Sequence, residues 1–168
     1  FTRAAGSVDV IAGKSLYSHA SIASTLKYVD YDTMFLKPKD YIQNGDYEVA
    51  GSASITNWTT VSGSPAASSK FGNTLLLTNA EASQEVTDLI VGRSYVVLTQ
   101  TSGATLTLEI GTSSGGSQTK SATLTIASGN EVALTETTFT ATATTHHVSF
   151  TEAAGGAAFV KLVQLSED

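Results

Sequence analysis

Thr105-Leu106-Thr107-Leu108-Glu109-Ile110 is the stretch that decides the fold. Its apolar residues fall on every second position with polar ones between, the signature of a strand with one dry and one wet face. The same period of two spreads outward in both directions. Upstream, Tyr95, Val97 and Thr99 alternate with Val96 and Leu98, and before them stand Leu75 to Leu77, then Val86, Leu89 and Ile90. Downstream, Leu124 and Ile126 alternate with Thr123 and Thr125, and Phe139, Ala141 and Ala143 lead into His146, Val148 and Phe150. A last run sets Phe159, Lys161, Val163 and Leu165 on one face against Val160 and Leu162. Turn clusters separate the runs: Gly51-Ser52, Ser62-Gly63-Ser64-Pro65, Ser102-Gly103, Gly111 to Ser117, Ser128-Gly129-Asn130 and Gly155-Gly156. No long helical run competes. The expected fold is an all-β, antiparallel two-sheet sandwich.

Composition agrees. Hydrophobic residues make up 41% and charged residues only 14% of 168, the remainder being rich in threonine, which suits a half-wet pleated surface. The chain has no cysteine, so neither disulfides nor a thiolate metal site hold it together. Phe1 to Ile42 carries five basic and four acidic side chains, +1; the rest carries four against eleven, −7, which together give the net −6. Nucleic-acid and anionic-membrane binding need clustered Lys and Arg, and no such cluster occurs. No stretch approaches the length of a bilayer span, and no secretion signal opens the sequence at Phe1, where the absence of a methionine raises the expectation of an N-terminus further upstream.

Residues 1–42 have a different texture from residues 43–168. Val8, Val10 and Ile11 suggest a short strand. Leu16, Ala20, Ala23 and Lys27 sit at helical spacing behind Ser15, a fitting N-cap. Tyr28 to Leu36 then forms an aromatic patch that ends before Pro38. So short and non-periodic a segment reads as an extended arm that either packs along its own sandwich or, the favoured reading, docks a partner through Tyr17, Tyr28, Tyr31, Phe35 and Leu36.

Asn44-Gly45-Asp46-Tyr47-Glu48 followed by Trp58-Thr59 resembles the opening of carbohydrate-binding modules of families four and nine and their galactose-binding-like relatives. Ser83 to Val86, Leu89 to Tyr95, Phe139 to Thr142, Val148 to Phe150 and Ala158 to Leu165 continue the resemblance in order, so that it covers residues 44–168. It implies a jelly-roll of two antiparallel sheets. It also implies a structural calcium held near the first and last strands, for which Asp46 and Glu48 match. Lys161 stands where the family places an aspartate, and its ammonium argues against the ion, offering Glu48 an ion pair instead. No other cofactor is expected.

A sugar site needs a flat aromatic face with polar groups beside it. Tyr95, Phe139, Phe150 and Phe159 are in phase with aliphatic neighbours and read as core. Trp58 matches a packed family tryptophan, although it also offers a platform. Tyr47 and Phe71 remain as candidate faces, with Asn73 beside them. The candidate carbohydrate-binding residues are therefore Trp58, Tyr47, Phe71 and Asn73.

No catalytic constellation emerges. His19 lies in the arm, while adjacent strand residues His146 and His147 point to opposite faces and cannot share a ligand. Glu81, Glu85, Asp88, Glu109, Glu131, Glu136 and Glu152 are scattered over turns and wet faces, as solubility alone requires. The expectation is a non-enzymatic display protein of a large assembly, a bacteriophage virion component such as a decoration protein, fibre or host-attachment adhesin. Its arm would anchor it in a capsid or tail scaffold in many copies or as a homo-oligomer, and its sandwich would bind surface glycans weakly. The alternative is a carbohydrate-binding module of a secreted, extracellular polysaccharide-active protein.

Overall fold

The structure is a computed structural model and describes residues 39–125 and 133–168, together with strands β1 (Asp9–Ile11), β2 (Ser15–Tyr17) and β3 (Val29–Asp30). The chain divides into two compact units, Phe1–Lys39 and Asp40–Asp168. In the first, β1, β2 and β3 form a three-stranded antiparallel sheet in that order, with Asp9 opposite Tyr17 and Leu16 opposite Val29. This corrects one expectation: Ser15 is the first residue of a strand instead of a helix cap. Ser15 and Leu16 find partners across the sheet, and their tertiary pairing overrides a weak helical spacing. Of the docking residues, Tyr17 lies on β2; Tyr28, Tyr31, Phe35 and Leu36 lie outside the described residues, as does His19.

The second unit begins with a hairpin of β4 (Glu48–Val49) and β5 (Ser52–Ala53), then β6 (Thr59–Ser62), β7 (Ala66–Ser68) and β8 (Thr74–Leu77). The longer strands follow: β9 (Ala80–Val86), β10 (Ser94–Gly103), β11 (Leu106–Gly111), β12 (Lys120–Leu124), β13 (Ala133–Thr140), β14 (His146–Glu152) and β15 (Ala158–Glu167). They form two five-stranded antiparallel sheets, ordered β13-β10-β15-β8-β7 and β12-β11-β14-β9-β6. Leu106, Leu108 and Ile110 of β11 are fully buried, as are Val148 and Phe150 of β14. Tyr95, Val97, Leu75, Leu77, Val163 and Leu165 meet them from the other sheet. The alternation quoted at the outset is therefore the boundary between core and solvent. Gly92, in the left-handed region, turns the chain into β10, and the hydroxyl of buried Tyr95 accepts the Ile90 N–H at 2.8 Å.

Residues 40–42 belong with the sandwich, so its edge lies before Asp40 and not at Gln43. Tyr41 N–H donates to Leu165 O at 2.9 Å, Leu165 N–H donates to Asp40 Oδ1 at 3.1 Å, and Ile42 enters the core. A larger departure is on β15. Gln100 pairs with Leu162 and Thr101 with Val160, so Lys161 is the extra residue of a β-bulge. Beyond it the phase reverses: Val160 and Ala158 point inward with Val163 and Leu165, and Phe159 points outward beside Leu76. The expectation of Phe159, Lys161, Val163 and Leu165 on one face is overturned there.

His146 lies fully buried on the inner side of β14, 5.6 Å from the Phe139 ring, and the Thr142 N–H donates to its Nε2 at 3.4 Å. Burial is the main cause that pulls its pKa below 6.5. The unfolded chain therefore takes up a proton before the folded one, and stability falls as pH drops through about 6.5. The urea midpoint is expected to fall between about pH 7 and about pH 5.5, and His146→Gln to flatten that slope. An equal slope in the variant would place the acid sensitivity elsewhere. Among the described residues, no helix is long and apolar enough to cross a membrane.

Candidate functional site

The chain enters the candidate site through Asn44 to Trp58. Tyr47 is fully buried and Trp58 is 7% exposed; their ring centroids lie 5.5 Å apart, and Trp58 lies 5.8 Å from Phe150. The indole N–H donates to Asn44 O at 3.3 Å. Both rings are core. The free face expected of Tyr47 is not there, and Trp58 keeps the packed role that the resemblance implied. What these rings do is anchor the β4–β5 hairpin, whose Ala50 and Gly51 both have positive φ and so make the tight turn that matches strand twist.

Above the buried rings, the hairpin meets the loop between β7 and β8. Glu48 Oε2 accepts a hydrogen bond from Asn73 Nδ2 at 2.8 Å. Glu48 is exposed, and Asn73 and Phe71 are half-buried. Phe71 sits at φ 63° and Gly72 at φ 93°, so the loop turns through two consecutive left-handed residues. The Phe71 ring meets the Phe159 ring edge-on at 5.2 Å, and the Lys70 ammonium stands over both, 5.1 and 4.9 Å from their centroids. Lys161 reaches the same place: a Cβ built on Gly72 would lie 3.5 Å from its Cε and 3.9 Å from its Nζ.

Phe71, Asn73, Glu48, Lys70 and Lys161 thus form one ledge with Phe159 beneath it. Two of the four residues expected to bind sugar, Phe71 and Asn73, come together there; the other two, Tyr47 and Trp58, are buried in the core. Lys70 was missed, and Phe159, read as core, is buried at 5% exposure but on the other side of β15 from Ala158 and Val160. The readable signal was Lys161 itself, a charged residue in phase with three apolar ones, which an uninterrupted strand would have had to bury.

The calcium expectation fails on the same geometry. Glu48 is engaged by Asn73, and Asp46 Oδ1 accepts the Glu48 N–H at 3.4 Å. The nearby groove, about 290 Å³, is lined by Asp40, Ile42, Asn44, Gly45, Asp46, Leu162, Val163 and Gln164, and Asp40 Oδ1 already accepts two backbone N–H groups. A calcium ion takes six to eight oxygens. Among the described residues no group of three or more His, Cys, Asp or Glu side chains could hold a metal, so the residues do not fit the ion. The alternative ion pair fails too, since no bridge joins Lys161 to Glu48 among the described residues.

The outer face of the second sheet is a different surface. Cross-strand rows place Thr107 beside Thr151 and Glu81, and Glu109 beside Ser149 and Ser83. The loop after β11 bends over it, and Gly115 N–H donates to Ser149 Oγ at 3.2 Å. Burial, then the neighbouring Glu109, raises the Glu81 carboxyl. His147 faces Glu85 at 3.7 Å on this side. No Phe, Tyr or Trp is among these outward residues, so the face carries hydroxyls and carboxylates without a platform for a sugar ring.

No family model matches the chain, and no curated protein sequence matches it. Solved structures do. The carbohydrate-binding module TmCBM61, in complex with β-1,4-galactotriose, superposes with TM-score 0.56 at 18% identity, over 77% of this chain and 99% of that one. A family 4 carbohydrate-binding module gives 0.55 at 13% identity, over 76% and 99%. The enzymatically active domain of tailspike protein 4 from bacteriophage CBA120 gives 0.55 at 16% identity, over 77% of this chain and 21% of that one. The sandwich has the jelly-roll fold of carbohydrate-binding modules.

Proposed function

We propose that residues 40–168 form a non-catalytic glycan-binding module in which Phe71 is the platform for a sugar ring and Asn73, oriented by Glu48, is its polar partner. The observation that carries this is the backbone of Phe71. A left-handed conformation costs a bulky L-residue about 1–2 kcal/mol, which glycine would avoid. The chain holds a half-exposed aromatic in that conformation, beside an amide and a carboxylate. The contacts with Phe159 and Lys70 hold the ring in place, and a ring that must present a face gains its orientation from this backbone. Tyr47 and Trp58 serve from below, fixing the hairpin that carries Glu48.

Phe71→Gly tests this. Relief of the backbone offsets part of the lost Phe159 contact, so the melting temperature is expected to stay within about 5 °C. Affinity for the glycan is expected to fall at least about tenfold, about 1.4 kcal/mol, in affinity electrophoresis over a polysaccharide panel that includes galactan. Unchanged binding in the variant would sink the role of Phe71.

For its place we propose the surface of a bacteriophage particle, docked through residues 1–39. The tailspike likeness, the acidic Thr-rich sandwich and the separate N-terminal unit support this over a secreted polysaccharide-active protein. A chain lacking residues 1–39 is expected to fold yet fail to join the particle; undiminished incorporation would favour the secreted alternative.

A further inference from the structure

We propose that the ledge selects a carboxylate-bearing sugar, such as a uronic acid, through Lys70 and Lys161; this rests on the glycan-binding reading above. From Gln43 onward the chain carries four basic and eleven acidic side chains. Of the four, Arg93 is paired with Glu167 and Lys120 begins β12. The other two converge on the Phe71-Gly72 turn from different elements. Lys70 comes from the β7–β8 loop. Lys161 comes from β15, and only because it is the bulged residue there, an arrangement that re-aims a side chain.

Neither ammonium has a carboxylate partner among the described residues. The Lys70 ammonium lies over two aromatic rings, a contact that fixes its position and leaves donors for an anion. The one acid on the ledge, Glu48, accepts from Asn73. An isolated cationic pair on an otherwise acidic unit steers an anionic ligand to one place, because the rest of the surface repels it. A sugar carboxylate there would meet two N–H donors while the C–H face of its ring packs on Phe71. A neutral sugar would gain only the second contact, so the lysines would set specificity and the phenyl ring would set affinity.

The test uses the full chain and two polymers with the same backbone, polygalacturonate and its carboxyl-reduced form, in affinity electrophoresis and calorimetry. The acidic polymer is expected to bind at least about tenfold tighter, and the preference to shrink between about 20 mM and about 500 mM salt. The double variant Lys70→Gln, Lys161→Gln is expected to bind both polymers equally. Equal binding by the wild type, or a preference that survives in the double variant, overturns the acidic specificity. If neutral polymers then still bind in a Phe71-dependent way, the glycan reading stands without it. No binding to any polysaccharide in the panel overturns both.

Discussion

Replacing Glu152 with glutamine is expected to destabilise the sandwich by about 2–3 kcal/mol, lowering the melting temperature by roughly 10 °C. Glu152 ends β14 and is 1% exposed. Its Oε2 accepts the N–H of Asn79 at 2.8 Å and of Gly155 at 3.2 Å. Oε1 accepts those of Ala154 at 2.9 Å and Gly156 at 3.1 Å. One carboxylate thus closes the β14–β15 turn on itself and ties it to the turn before β9. An amide has a single acceptor oxygen, and its NH₂ would face N–H donors, so two of the four bonds become donor against donor. Ala154 and Gly155 are exposed and can turn to water, which keeps the cost below that of a deeply buried pair.

The same site fixes a pH dependence. Burial pushes the Glu152 carboxyl up, but the four N–H donors together outweigh it and hold the pKa below 4.5. Its stabilising contribution is present above 4.5 and is lost as pH falls through the lower folded value. The wild type is therefore expected to lose stability steeply in acid while Glu152→Gln, already weakened, shows a shallower acid limb. Parallel acid limbs in urea titrations would remove Glu152 from this role.

How much of this was legible in the sequence differs residue by residue. Leu106 to Ile110 announced its strand because both faces of β11 keep one environment along its length, and that makes a period of two visible. The jelly-roll likeness of residues 44–168 came from a resemblance instead, carried by Asn44-Gly45-Asp46-Tyr47-Glu48 and Trp58-Thr59 with the later segments in order. The last strand was misread because a bulge adds one residue without changing composition, so the phase of Phe159 depended on a pairing across to Thr101 that no local pattern encodes. Glu152 was taken as a solubility carboxylate. Its donors sit 73 residues upstream and within four residues downstream, and only the folded turn brings them together. Of the ledge, Phe71 and Asn73 were found by eliminating aromatics in phase with the core. Lys70 and Phe159 needed the bulge, which moves a ring from the expected inner face to the outer one.

Gly45 in the Asn44-Gly45-Asp46 opening supplies the other large expected effect. Gly45→Ala is expected to cost about 3 kcal/mol or more and to depress soluble yield. The reason is room and not backbone freedom, since Gly45 is not among the residues with positive φ. A Cβ at this position would lie 2.0 Å from the backbone oxygen of Val163 and 3.0 Å from Ile42 Cγ2. Val163 cannot retreat: its N–H donates to Gly45 O at 2.8 Å, its side chain is fully buried, and β15 is the central strand of its sheet. The opening segment would have to lift, taking with it Asn44, whose Nδ2 donates to the Ser54 and Thr56 carbonyls at 3.0 and 2.9 Å. Gly51→Ala is the internal control. It meets no atom within 4 Å, so it costs only the left-handed backbone, about 1–2 kcal/mol. Chemical denaturation of the two variants side by side separates the causes. If Gly45→Ala proved no worse than Gly51→Ala, the close approach of the first segment to β15 would not be what this glycine secures. Because Glu48 hangs from the same segment, a partly folded Gly45→Ala protein is also expected to lose affinity at the ledge before it loses its core.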